Sequence, residues 1–370
     1  MPYFKKYSFL LVVVLTLVAG IYAYYNFLLH LDVFFWDESH HGFFGMQIYD
    51  DIRSGDWGSF WKHTNNQALW MPIHSWLNGI FLYLFGFSYA SARLSSLFLF
   101  FVCSIITYLI GLELSKDKGW AVGLVAVICF LTSPALLHLS VLNMQEMLGI
   151  FVCLITVYFM VWNISFNAGR KFLVIGFLLS VAYWSKQNYA AVVILGVGLY
   201  QLSLLWDIRR NDDNTKQEDL KKTKTKKQKQ SGQRNILKEY YEKSRTNRYF
   251  AWILDNVLII VGFLPLFILW WAMPPFQRKY ALAVTYRQGA LAGGTSAIFR
   301  FIGTVMYYMQ SFITSYNLSF WIALGCLASV FASIFFFHDR KIRIISLIFY
   351  VNLLFISIMT IAQERFLSLA

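Results

Sequence analysis

Residues 8–29 read SFLLVVVLTLVAGIYAYYNFLL, an apolar run of 22 residues without a charged side chain. A helix of about 17–25 apolar residues is long enough to cross the hydrocarbon core of a bilayer. The run does not alternate with a period of two, which favours a helix over a strand. It is longer than a typical signal-peptide core and similar runs follow it, so we expect this helix to be retained.

The rest of the chain continues this pattern. Of its 370 residues, 58% are hydrophobic and 14% are charged, whereas a soluble domain has roughly 25% charged residues. Because helices satisfy their own backbone hydrogen bonds in lipid, we predict an all-α polytopic membrane protein with about nine transmembrane helices. Eight further spans are predicted at about 91–113, 120–137, 147–163, 171–185, 189–206, 250–272, 318–337 and 342–361. Two other apolar pieces, 73–88 and 297–315, are predicted to be interfacial helices in the outer loops.

Basic residues are distributed unevenly between the predicted loops. Fourteen of the 32 lysines and arginines lie between Arg209 and Arg248. A cytoplasmic N-terminus places these and most of the other basic residues on the inner side, as the positive-inside rule requires. We therefore predict an integral, multi-pass protein of the bacterial plasma (inner) membrane, with a long loop over residues 31–71 on the outer side.

Three regions follow from this layout. Residues 1–206 form an N-terminal membrane module that carries the outer loops. Residues 207–249 are lysine-rich and low in complexity, so we predict a disordered cytoplasmic loop that contacts anionic membrane lipids. No aromatic residues interleave with the lysines between Lys216 and Lys229, which argues against nucleic-acid binding. Residues 250–370 form C-terminal membrane helices.

Charged residues close to the end of the first span are the first candidates for chemistry. Residues 34–44 read FFWDESHHGFF and place Asp37 and Glu38 between aromatic flanks. An apolar environment makes a carboxylate a stronger base, as general-base catalysis needs. The alternative is that two surface carboxylates simply end a membrane helix. His40 and His41 are either metal ligands beside these acids or polar residues of the interface.

Further charged residues are expected on the same outer face. Glu146 begins a predicted span, where an acid is costly unless it is paired or hydrated. Lys186 lies in a short outer corner, where it either reaches lipid phosphates or holds a substrate phosphate. Arg278, Lys279 and Arg287 form another outer basic group that could hold the phosphate of a lipid. The sequence has no nucleotide-binding loop, which favours a lipid-linked substrate.

Four stretches, in order, resemble the GT-C membrane glycosyltransferases. The resemblance is to the group that contains the protein O-mannosyltransferases, the aminoarabinose transferases and the Rgt-type sugar transferases. The stretches are WDESHHGFFGMQIYDDIRSGDW, MPIHSWLNGIFLYLFGFSYASARLSSLF, TSPALLHLSVLNMQEMLGIFVCLITVYF and YWSKQNYAAVVILGVGLYQL. Trp70-Met71-Pro72 stands where the aminoarabinose enzymes have Glu-Lys-Pro, which disfavours that specificity. The chain ends at QERFLSLA, where relatives often continue, so a short or truncated member is expected.

The resemblance implies an inverting transfer of a sugar from a polyprenyl-phosphate donor to a lipid, glycan or protein acceptor outside the membrane. By this similarity Asp37 is the general base, with Glu38 beside it. Glu146 is the second-loop acid, which places the acceptor or a divalent ion; His40 and His41 are the other candidate metal ligands. Lys186 and an arginine within 278–287 stabilise the leaving phosphate.

Two other functions are compatible with the sequence. A transporter or flippase of a lipid-linked sugar would have charged or broken helices at the middle of the bilayer, whereas these charges cluster at helix ends. A non-catalytic membrane scaffold has the same sequence features as the enzyme, and activity data separate the two.

Overall fold

The computed structural model describes residues 2–67, 70–115, 117–162, 169–226, 234–272 and 332–358, and within these ranges every regular element is a helix. This confirms the predicted all-α class. The α-helices are α1 (Pro2–Asn26), α2 (Trp36–Ser54), α3 (Trp57–Asn66), α4 (Ile73–Phe85), α5 (Tyr89–Leu114), α6 (Gly119–Leu131), α7 (Pro134–Ser140), α8 (Gln145–Trp162), α9 (Gly169–Ser185), α10 (Gln187–Lys226), α11 (Arg234–Ala272) and α12 (Arg340–Ile358). Short 3-10 helices occupy Leu28–His30 and Ser333–Phe336.

Five of the described helices contain stretches long and apolar enough to cross a membrane. These stretches are Tyr7–His30, Tyr89–Leu114, Gln145–Trp162, Gln187–Arg210 and Arg248–Ala272, each of which overlaps a predicted span. Three shorter apolar stretches lie at Ile73–Phe85, Gly119–Leu131 and Lys171–Ser185. The predicted interfacial piece 297–315 and most of the predicted span 318–337 lie outside the described residues.

The predicted span 120–137 is wrong in its length, because α6 ends at Leu131 and α7 begins at Pro134. Ser133 caps α7 by accepting a hydrogen bond from the backbone N–H of Leu136. Proline lacks an N–H and fits the first turn of a helix, where no intrahelical partner exists for that group. The Ser133-Pro134 pair therefore starts a new helix instead of extending α6.

The predicted loop over residues 31–71 contains two helices, α2 and α3. The backbone N–H of Phe35 donates to Glu38 Oε2 at 3.2 Å, which caps the start of α2. Gly55 has φ +70° and ends α2 in the left-handed conformation that glycine adopts readily. Asp56 then caps α3 by accepting from the backbone N–H of Ser59 at 3.0 Å. The segment thus folds into two helices that are separated at Gly55 and Asp56.

Helical backbone extends from both sides into the lysine-rich segment 207–249, for which a disordered cytoplasmic loop is predicted. The structure describes helical backbone to Lys226 in α10 and from Arg234 in α11. Lysine, glutamine and glutamate have high helix propensity, so a helix that leaves the membrane can continue through such residues without an apolar face. Residues 227–233 lie outside the described residues.

The α5 helix is the centre of the described bundle and packs against α1, α4, α6 and α8. Its buried face carries small residues, which allow close approach of membrane helices. The Oγ atom of Ser104 lies 2.8 Å from Thr16 Oγ1 of α1. Glycines allow the same closeness between α9 and α11, because a Cβ on Gly176 would overlap the carbonyl oxygen of Ile259.

Gly111 of α5 gives a direct test of this packing, because a Cβ there would overlap the backbone of Gly123 in α6. We expect Gly111→Ala to lower the free energy of unfolding by about 1–3 kcal/mol, the usual cost of overpacking. Gly20 of α1 has open space around it, so Gly20→Ala is the matched control. Thermal unfolding in detergent measures both variants, and equal unfolding temperatures would contradict the described α5–α6 packing.

Candidate active site

A buried ion pair joins the first turns of α2 and α5. Arg93 Nε donates to Glu38 Oε1 and Arg93 Nη2 donates to Glu38 Oε2, both at 3.0 Å. The side chains of Arg93 and Glu38 are 0% and 3% exposed. The backbone N–H of Asn143 also donates to Glu38 Oε1, at 2.7 Å. Bidentate pairing with extra donors is the strong form of this contact, so Glu38 fastens α2, α5 and the segment before α8 together.

Arg93 also fixes the chain that leads into α2. Its Nη2 donates to the carbonyl oxygen of Val33 at 2.6 Å, and its Nη1 donates to the carbonyl oxygen of Leu31. Its guanidinium carbon lies 5.1 Å from the centre of the Phe34 ring, which adds a cation–π contact. The Arg93 side chain therefore fixes the segment 31–34, which leads into the first turn of α2.

Asp37 lies in that first turn, next to Glu38 in sequence, and is partly exposed. Neighbouring residues on a helix point in different directions. Here the Glu38 side chain points inward, where it is buried and accepts hydrogen bonds from Arg93 and Asn143. The N-terminal end of a helix also stabilises a carboxylate through the helix dipole. Of the two acids in this turn, Asp37 is the one that a molecule outside the protein can reach.

Glu146 and Lys186 form a second ion pair, between Glu146 Oε1 and Lys186 Nζ. Glu146 lies in the first turn of α8, and Lys186 is the residue between α9 and α10. The side chains are 8% and 15% exposed. The sequence predicts both residues as candidates for one site, and the structure brings them into contact. A buried acid at a helix end is thus paired, as its position in a membrane protein requires.

Two histidine rings lie in contact close to these acids. The rings of His41 and His74 are 4.9 Å apart, and the ring of Trp70 is 5.0 Å from that of His41. Burial holds the pKa of His41 well below its usual value, and the nearby ammonium group of Lys186 acts in the same direction. Burial lowers the pKa of His74 to about 4. Both rings are therefore neutral at pH 7, while His40 is exposed on α2.

The metal candidates Glu146, His40 and His41 do not meet in a ligand cluster. Within the described residues there is no group of three or more histidine, cysteine, aspartate or glutamate side chains that could hold a metal ion. The predicted phosphate-binding residues Arg278, Lys279 and Arg287 lie outside the described residues.

Four buried polar residues of the site are not among the site residues predicted from the sequence. His74 and Asn78 are buried on α4, Asn143 is buried before α8, and Arg93 is buried on α5. Their common signal is a polar side chain in an apolar stretch of sequence, which is costly in a membrane protein unless it has a partner or a function. The spacing of His74 and Asn78, four residues apart, places them on one face of α4. That pattern was available in the sequence.

Comparison with known proteins gives two findings. Residues 66–214 match the family described as dolichyl-phosphate-mannose-protein mannosyltransferase. The structure resembles the crystal structure of ArnT from Cupriavidus metallidurans bound to undecaprenyl phosphate, with a TM-score of 0.59 and 16% sequence identity. That match covers 95% of this chain and 55% of the ArnT chain, so this chain spans about half the length of ArnT. A search among curated proteins gives no significant match.

The matched family region extends from the end of α3 into α10 and contains Arg93, Asn143, Glu146 and Lys186. The predicted resemblance is therefore confirmed: the chain is an integral membrane protein with the fold of the GT-C glycosyltransferases, and its residues 66–214 carry the pattern of the dolichyl-phosphate-mannose-protein mannosyltransferase family.

Proposed function

We propose that the chain is an inverting glycosyltransferase that takes a sugar from a polyprenyl-phosphate donor. The observation that carries this proposal is the hydrogen bond from the Asn143 backbone to Glu38 Oε1. It fastens the turn that holds Asp37 to the segment that leads into Glu146, which in turn pairs with Lys186. The partly exposed Asp37 and the Glu146–Lys186 ion pair are thus connected within one region of the fold.

The reaction needs a base on one side of the sugar and positive charge on the other. Asp37 accepts the proton of the acceptor hydroxyl as its oxygen attacks the anomeric carbon. The bond from that carbon to the phosphate oxygen breaks, and its electron pair leaves with the polyprenyl phosphate. Attack opposite to the leaving group inverts the anomeric carbon. Glu38 does not touch the substrate in this scheme and positions Asp37 through Arg93.

Lys186 stabilises the negative charge that develops on the leaving phosphate. Glu146 fixes the ammonium group of Lys186 in place by accepting one of its three hydrogen bonds, which leaves two for the phosphate. Arg278, Lys279 and Arg287 remain candidates for further phosphate contacts. A charge fixed before the reaction is more effective than one that must reorganise during it.

The roles given to Asp37 and Lys186 also imply how the donor and the acceptor reach the site and on which side of the membrane it lies. The donor enters from the surrounding membrane lipids, and the acceptor is a lipid, glycan or protein hydroxyl. The basic residues of α12 and of the segment 207–249 favour a cytoplasmic side opposite to this site. This supports a cytoplasmic N-terminus in the bacterial inner membrane and a site that faces outward.

The function is tested with membranes that contain the protein and radiolabelled polyprenyl-phosphate hexoses and pentoses. We expect free polyprenyl phosphate to be released and the label to appear on an acceptor. A flippase would instead move labelled lipid across proteoliposomes with the sugar–phosphate bond intact. Intact donor in every reaction, with abundant folded protein, would overturn the proposal.

Lys186→Met gives a second prediction. We expect the Kd for polyprenyl phosphate to rise about 10- to 100-fold, because a hydrogen bond to a charged group contributes about 1.5–3 kcal/mol. Lys62→Met is the matched control, since Lys62 is exposed on α3. Lys186→Arg keeps the charge and is expected to keep most of the affinity. Equal affinity of Lys186→Met and wild type would remove Lys186 from the phosphate site.

A further inference from the structure

Three buried polar atoms near the Glu146–Lys186 pair lack a hydrogen-bond partner among the described residues. They are His74 Nε2, Asn143 Nδ2 and Glu146 Oε2. The residues are 1%, 0% and 6% exposed. Leaving such an atom unsatisfied destabilises the folded protein, so three in one region need an explanation.

These atoms belong to one cluster. The Asn78 amide nitrogen donates to Asn143 Oδ1 at 2.6 Å and lies 3.5 Å from His74 Nδ1. Gln145, next to Glu146 in sequence, donates from Nε2 to the carbonyl oxygen of Met71 at 3.1 Å, which joins the start of α8 to the segment before α4. Residues from α4, from α8 and from the segment before α8 thus face one region.

Hydrogen bonding determines which of the three atoms are donors. In the hydrogen bond to Asn143 Oδ1, the Asn78 amide nitrogen is the donor. Because this nitrogen is a donor, His74 Nδ1 is the acceptor and His74 Nε2 carries the proton. The cluster therefore presents two N–H donors, from His74 and Asn143, and one carboxylate acceptor, from Glu146.

This combination matches a hydroxyl-bearing ligand. A hydroxyl group both donates and accepts, so two neighbouring hydroxyls can satisfy Glu146 Oε2 and accept from His74 and Asn143. A phosphate has acceptors but no proton for Glu146 Oε2, so the phosphate of the donor fits the Lys186 ammonium instead. A metal cation would meet the N–H groups and the Lys186 charge.

We propose that His74, Asn143 and Glu146 bind the hydroxyl groups of the sugar ring on the donor lipid. This inference rests on the proposed function and extends it to the sugar. Lys186 Nζ holds Glu146 Oε1, while Glu146 Oε2 is the atom without a partner. The phosphate bound by Lys186 and the sugar bound by Glu146 are therefore adjacent, as the two parts of one donor must be. His74 and Asn143 are specificity-determining residues in this assignment.

The test compares two lipids, polyprenyl phosphate and polyprenyl-phosphate mannose, for binding to the purified chain. His74→Phe keeps an aromatic ring but removes the N–H group. We expect it to raise the Kd for the sugar-bearing lipid about tenfold and to leave the Kd for the sugar-free lipid unchanged. His138→Phe is the matched control, because His138 is exposed on α7.

A second measurement does not depend on the folding of a variant. Wild-type protein is tested with donors that each lack one sugar hydroxyl, and at least one is expected to bind about tenfold more weakly than the parent. Equal affinity for every deoxygenated donor, or an equal effect of His74→Phe on both lipids, would overturn the sugar site and leave the proposed function intact. If the wild-type protein binds neither lipid, the proposed function itself fails.

Discussion

Asp37→Asn is expected to reduce sugar transfer by about 10²- to 10⁴-fold, the usual contribution of a general base. The amide has the size of the carboxylate but cannot accept the proton of an attacking hydroxyl. Asp37 is partly exposed, so the change leaves the buried pair beneath it intact. The rate of donor consumption is measured in membranes that contain equal amounts of the two proteins.

Asp50→Asn is the control for this variant, because Asp50 is an exposed aspartate further along the same helix. It removes one negative charge from α2 at a distance from the site, and we expect wild-type rates. Binding of polyprenyl phosphate should be the same in all three proteins. A rate for Asp37→Asn within twofold of wild type would transfer the role of base to another acid.

Arg93→Met is expected to have the largest effect on stability. Removing one partner of a buried ion pair leaves an uncompensated charge and typically costs about 3–5 kcal/mol. Glu38 would lose two hydrogen bonds, and the carbonyl groups of Leu31 and Val33 would lose their donor. Thermal unfolding in detergent should show a clear fall in the unfolding temperature.

Arg53→Met is the matched control, because Arg53 is exposed on α2 and donates to Tyr49 Oη at 3.2 Å. We expect little change there, as exposed contacts contribute little. Combining Arg93→Met with Glu38→Gln removes both charges, so the double variant should be more stable than Arg93→Met. A double variant less stable than both single variants would show that the charges themselves are not the source of the effect.

The membrane fold could be predicted because its signal is local. Each long apolar run, such as residues 8–29, contains enough information to identify a helix in lipid. The break before Pro134 was also readable, since serine followed by proline is a strong helix start. The prediction failed there because the apolar run continues across the break and hides it.

The site was predictable in part. Asp37, Glu146 and Lys186 are charged residues at the ends of apolar runs, which is why the sequence indicates them. The burial of Glu38 and the partial exposure of Asp37 were not predictable, because they depend on which side of α2 faces α5. The pairing of Glu38 with Arg93 joins positions 55 residues apart, and no local pattern contains that contact.

The close contact between α9 and α11 affects when α9 can complete its packing during synthesis of the chain. Gly176 and Ile259 are about 80 residues apart in sequence, and α10 with its lysine-rich extension lies between them. At a synthesis rate of about 5–20 residues per second, α9 waits roughly 4–16 s before its partner leaves the ribosome. With 17 residues, α9 is at the short limit for crossing a bilayer unaided. α9 also packs against α8, which is made before it, so the later arrival of α11 completes the packing of α9, and the length of the intervening segment sets the duration of that delay.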